Sequence, residues 1–121
     1  MRGLMTPEEL APRGEFIVVL MTAPDGETAA RIARPVVQEG LCACVNILPG
    51  VRSFYVFEER LHEDEAEVLC LIKTRRALYP RLRDRLTELH PYEVPEIIAV
   101  PVCEGNARYL AWILDSTRAR E

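Results

Sequence analysis

Two closely spaced cysteines, a histidine at a helix end and a dense run of carboxylates are the residues of this 121-residue chain best suited to chemistry. Cys42 and Cys44 stand two apart, so in a strand their thiols share one face, a spacing that could hold Cu(I) or Zn(II). Free cysteines are more often small core hydrophobes, which is the favoured reading of the pair, and without a Cys-x-x-Cys neither a zinc ribbon nor a thioredoxin-like pair is available. His90 closes a helical pattern just before Pro91-Tyr92. It is a candidate metal ligand or pocket donor, or a cap on the negative end of that helix. Glu58, Glu59, Glu63, Asp64, Glu65 and Glu67 place six carboxylates within ten residues. They lack the Asp/Asn spacing and central glycine of an EF-hand and read as a solvated hairpin tip, with His62 solvated among them. No nucleophile–base pair, phosphate-cradling glycine loop or His-Glu-x-x-His stands in the sequence, so binding rather than enzyme catalysis is expected.

The elements that must position these residues follow from hydrophobic period. Residues 1–14, with Pro7, Pro12 and Gly14, carry no sustained pattern and are expected to be a flexible N-terminal tail before a single domain over 15–121. Residues 15–23 are a continuous apolar, β-branched run, the mark of a buried central strand. Asp25 caps a helix in which Ala29, Ile32, Ala33, Val36 and Val37 recur at helical spacing, ended by Gly40 and carrying Pro35 inside. Two β-rich runs, 43–48 and 51–59, are separated by Pro49-Gly50, and the acidic stretch 58–67 is expected to turn the chain back. Residues 67–74 form a further strand. A second helix over about 77–89 presents Leu78, Leu82, Leu86 and Leu89, with Pro80 in its first turn. Residues 96–103 are a strand whose Pro101 calls for an edge or a bulge. Asn106 caps a last helix over 106–117.

This βαββαβ order is the ferredoxin-like, split βαβ pattern of the α+β class, here with a long β-hairpin and an extra C-terminal helix. Such a fold serves many functions, so each must be tested at its site. The loop Thr22-Ala23-Pro24-Asp25-Gly26 has no sulfur, which opposes a soft-metal chaperone. The run Arg52–Phe57 only faintly echoes an RNA-recognition motif, and a net charge of −4 opposes nucleic-acid binding. No apolar run approaches the roughly 20 residues of a membrane span, and the glutamates flanking Phe16–Met21 oppose a signal peptide, so a cytoplasmic protein is expected.

Strand length carries a further implication. Seventeen residues over 43–59 would reach roughly 55 Å, against a diameter of about 35 Å for a compact chain of this size. Either the strand bends at Pro49-Gly50 or the hairpin projects. A projecting arm with Phe54, Tyr55, Val56 and Phe57 exposes aromatic surface that another chain would cover, so a homo-oligomer is expected.

Five ordered motifs sharpen this. Ala43-Cys44-Val45-Asn46-Ile47-Leu48-Pro49-Gly50, Ser53-x-Tyr55, Leu71-Ile72-Lys73-Thr74, His90-Pro91-Tyr92-Glu93-Val94-Pro95-Glu96, and Gly105 followed by Tyr109-Leu110-x-Trp112 together resemble the CutA divalent-ion (copper) tolerance family over about residues 15–116. The resemblance implies a ferredoxin-like homotrimer assembled like PII signalling proteins. It implies copper or another divalent ion as ligand and no organic cofactor. By position it marks Cys44, Tyr55, Lys73, His90, Tyr92, Glu96 and Trp112 around an intersubunit cleft, and of these Cys44 and His90 are chosen by donor type as the expected metal ligands. Lys73 is the single lysine beside fourteen arginines. A second implied reading is a PII-like regulator that reports a metabolite to a protein partner. The hairpin departs from the family's pattern: Phe57 stands where Trp is usual, and Glu59-Arg60 replaces Gly-Lys.

Overall fold

The computed structural model describes residues 5–118. Four strands, β1 Phe16–Ala23, β2 Cys44–Phe57, β3 Arg60–Arg75 and β4 Ile97–Pro101, form one sheet in the order β2-β3-β1-β4. Every neighbouring pair is antiparallel, which is the ferredoxin-like arrangement expected. Helices α1 Pro7–Leu10, α2 Gly26–Gln38, α3 Tyr79–Leu89 and α4 Ala107–Ser116 complete the chain.

The period-2 alternation of each strand sorts its side chains between two faces. Val19, Met21, Cys70 and Ile72 point to the side covered by α2 and α3, where Ile32, Val36, Leu82 and Leu86 complete the main core. Asp25 Oδ1 accepts from the Thr28 backbone N–H at 2.7 Å and starts α2. Pro35 lies inside α2, as the spacing required, and Pro80 sits in the first turn of α3. Pro101 closes β4 on the sheet edge.

On the other face Val18, Leu20, Leu69 and Leu71 remain half-buried, and Leu48, Ile98 and Val100 are exposed. Only the end of this face near Phe16 is covered, by Leu110 and Ile113 of α4 and by Ala11. Ala11 belongs to the segment expected to be a loose tail. Instead, Thr6 and Glu9 form a reciprocal capping box that starts α1. A 3-10 turn over Ala11–Arg13 then buries Ala11. Residues 1–4 of that expected tail lie outside the described residues.

The hairpin differs from expectation in where it turns. The acidic stretch 58–67 is not the turn: Glu58 and Glu59 alone reverse the chain, and β3 begins at Arg60. Both turn residues have positive φ, 51° and 63°, the two-residue geometry whose twist suits antiparallel strands. Pro49-Gly50 does not split the strand either. It forms an irregularity between the Leu48 and Val51 pairings inside a continuous β2, with Gly50 at φ +85° supplying the left-handed residue. The hairpin therefore projects as an arm, with Phe54, Tyr55, Val56, Phe57 and Leu61 exposed along it.

Candidate functional site

The loop leaving α3 and the root of the arm meet at one end of the sheet. His90 is the C-cap of α3 and has extended backbone angles, because Pro91 excludes helical geometry from the residue before it. That turn drives the imidazole inward, where it is buried. Its Nδ1 accepts from the Tyr92 backbone N–H at 3.1 Å, which leaves Nε2–H to donate to the Thr22 carbonyl at 2.8 Å. The network assigns this tautomer. Both ring nitrogens are thereby occupied.

Tyr92 packs its ring 4.7 Å from that imidazole and donates its hydroxyl to Glu67 Oε2 at 2.8 Å. Burial, and then the adjacent Glu67 carboxylate, hold the Tyr92 hydroxyl pKa above the usual phenol range. On the arm, Tyr55 stacks on His62 with centroids 4.7 Å apart and planes 7° from parallel. His62 Nδ1 lies 3.2 Å from Glu65 Oε1. The Tyr55 hydroxyl pKa is raised by loss of solvent and then by the charges of Glu65 and Glu67. Between these groups lies a cleft of about 500 Å³, with Tyr55, Glu67, Tyr92 and Glu96 in its walls.

A second cluster forms four residues farther along the sheet. Lys73 pairs with Cys44 across β2–β3 and with Val18 across β1–β3. Its ammonium donates to Asn46 Oδ1 and lies 3.5 Å from Cys44 Sγ. Tyr109 adjoins the same thiol, with its hydroxyl pKa raised by burial and then by Cys44. Trp112 sits against Tyr109 with ring centroids 5.4 Å apart.

The candidate residues thus fall into two groups. Tyr55, Tyr92 and Glu96 line one cleft with His90 behind it; Cys44, Lys73 and Trp112 belong to the other cluster. Thr22, which holds His90, is four residues from Val18, which pairs with Lys73. That alone separates Cys44 from His90 by about 13 Å along the strand. One chain therefore does not bring these two expected metal ligands together. Among the described residues no three His, Cys, Asp or Glu side chains converge to hold an ion. Sequence reasoning missed Glu67 and His62 by assigning them to a solvated turn. The available signal was the onset of a continuous apolar run at Val68, which puts Glu67 at the mouth of the core rather than in a tip.

An antiparallel β2-β3-β1-β4 sheet with two helices on one face, a projecting hairpin and a C-terminal helix defines the ferredoxin-like α+β class with an extended arm. Comparison with known proteins places it further. The family description "CutA1 divalent ion tolerance protein" matches residues 17–116, and the chain belongs to that family. It is 48% identical over 100 residues to the divalent-cation tolerance protein CutA of Thermus thermophilus, covering 83% of this chain and 96% of that protein. To the human protein CutA it is 42% identical over 106 residues, 88% of this chain but 59% of that one. The chain likewise spans 60% of the chloroplastic CutA of Arabidopsis thaliana. Among solved structures, the Thermus thermophilus protein superposes with a TM-score of 0.80 at 47% identity, covering 84% of this chain and 98% of that one. Oryza sativa CutA1 superposes at 0.82 and 43% identity, covering 88% and 96%. Relatives carry different compartments in their names, chloroplastic in Arabidopsis thaliana and periplasmic in Archaeoglobus fulgidus. No helix among the described residues is long and apolar enough to cross a membrane.

Proposed function

We propose that this chain acts in divalent-cation tolerance as a cytoplasmic homotrimer that binds a small ligand rather than catalysing a reaction. The observation that carries the reading is the cleft at the root of the arm, where Tyr55, Tyr92, Glu67 and Glu96 surround about 500 Å³. Small-molecule sites have this size and this mixture of aromatic walls and a few polar groups. Assembly is supported by the apolar sheet face carrying Leu48, Ile98 and Val100, which a second copy would cover. Copper or another divalent ion would then be held by donors from more than one copy. Cys44 is the donor kept for that role, since both nitrogens of His90 are already engaged.

The test is light scattering for the mass of the assembly, with calorimetric titration of Cu(II) and Zn(II) into the wild type and Cys44→Ser. A mass of three chains, with a Cu(II) isotherm weakened in the variant, is expected. A monomer would overturn the assembly, and identical isotherms would remove Cys44.

A further inference from the structure

We propose that the cleft at the root of the arm is a site for a small organic cation, an alkylammonium or guanidinium group. The inference rests on reading that cleft as a ligand site and names the class of ligand.

The charge of the cleft is one-sided. Glu67, Glu93 and Glu96 line it with no arginine or lysine among the described residues, and the basic ring there, His62, lies with its Nδ1 3.2 Å from a fourth carboxylate, Glu65. None of the three carboxylates has an ion pair among the described residues. Glu67 is the telling one, because it is only 8% exposed. Among the described residues its one hydrogen-bond partner is the neutral Tyr92 hydroxyl on Oε2. Oε1 has no partner among them, yet it is not sealed from solvent. A carboxylate so far withdrawn from water gains most from a cation delivered to that free oxygen.

The walls decide which cation. Phe54, Tyr55, Phe57 and Tyr92 surround the carboxylates. Aromatic faces attract a diffuse organic cation through their quadrupoles and also cover its alkyl chain. They offer no inner-sphere ligand to a hard divalent ion, which needs six or more converging oxygens. Among the described residues the carboxylates do not converge as a metal cage. An anion is repelled by the same charges, and a neutral ligand leaves Glu67 unpaired.

The test is a titration of the assembled protein, followed through its backbone amide resonances, with n-butylammonium, n-butylguanidinium, the neutral isostere butan-1-ol, and Zn(II). Expected are shifts at Tyr92, Glu93 and Val94 with either organic cation. Binding should weaken at least tenfold for butan-1-ol and at least tenfold in Glu67→Gln. Glu96→Gln, at an exposed position that cannot disturb the core, should weaken it several-fold and guards against a folding defect in the first variant. Equal binding of butan-1-ol would overturn the cation class and leave a ligand cleft standing. Zn(II) shifting these residues while the organic cations shift none would do the same in favour of a metal. No shift with any probe would remove both the class and the cleft.

Discussion

The Tyr92 hydroxyl donates to Glu67 Oε2 at 2.8 Å and so ties the loop after α3 to the root of the arm, 25 residues back in the chain. A buried carboxylate and a half-buried phenol share that bond. Removing either leaves the other short of a partner.

Tyr92→Phe should therefore cost about 1–3 kcal/mol, the range for orphaning a buried polar group. Urea unfolding measures it. Adding Glu67→Leu to Tyr92→Phe should cost less than the sum of the single changes, since the paired deletion orphans nothing. Additive losses would show that the bond carries no coupling.

His90 is expected to matter for stability and not for metal. Its two ring nitrogens join Thr22 and Tyr92, so His90→Ala breaks two hydrogen bonds at a buried position. A loss of about 2 kcal/mol is expected. The Zn(II) isotherm should be unchanged from the wild type; a clear weakening would restore the imidazole as a ligand.

Glu59 holds φ at 63° in the arm's two-residue turn. A side chain strains that left-handed conformation, which glycine adopts freely. Glu59→Gly should raise the unfolding free energy by up to about 1 kcal/mol. A destabilised variant would mean that the carboxylate makes a compensating contact on the arm.

Burial pushes the thiol pKa of Cys42 up to about 12 and that of Cys70 to about 11. In the unfolded chain the same thiols ionise near 8.5. The folded values are the higher ones, so this contribution is complete below about pH 8.5 and is lost as pH rises through 11 and 12. Stability to urea should fall from pH 8.5 to pH 10.5, and less so in Cys42→Ala. At pH 8, iodoacetamide should label exposed Cys103 in the native protein and reach Cys42 and Cys70 only after unfolding, read by peptide mass.

Ile98 is 52% exposed in one chain, on the open face of the edge strand β4. Ile98→Glu should leave the fold of a protomer intact and, for the proposed homotrimer, lower the mass seen by light scattering from three chains towards one. An unchanged mass would place the interface elsewhere.

Much of the fold was legible because local rules and the sheet agree. Asp25, Asn106 and Pro80 announced helix starts, and the apolar, β-branched run at 15–23 suited a central strand with neighbours on both sides. Pro49-Gly50 and the acidic stretch misled for the opposite reason. Each carries the residues of a turn, but antiparallel pairing along a long ladder outweighed the local preference and turned one into an irregularity and the other into strand. The segment at 6–13 misled because its stability comes from packing Ala11 beneath α4, a contact about a hundred residues distant in the chain.

The sequence by itself determined the order of the four strands and the three longer helices, and the family, since these rest on period, caps and ordered motifs. Only the tertiary structure decided which candidate residues work together. Cys44 and His90 looked like partners as the two best ligands, yet strand register sets them at different ends of the sheet. Glu67 looked like one charge among six, yet register and the turn at His90-Pro91 bring it under the Tyr92 hydroxyl. Residue type is written along the chain, but proximity is fixed by pairing between strands, and no local pattern encodes that.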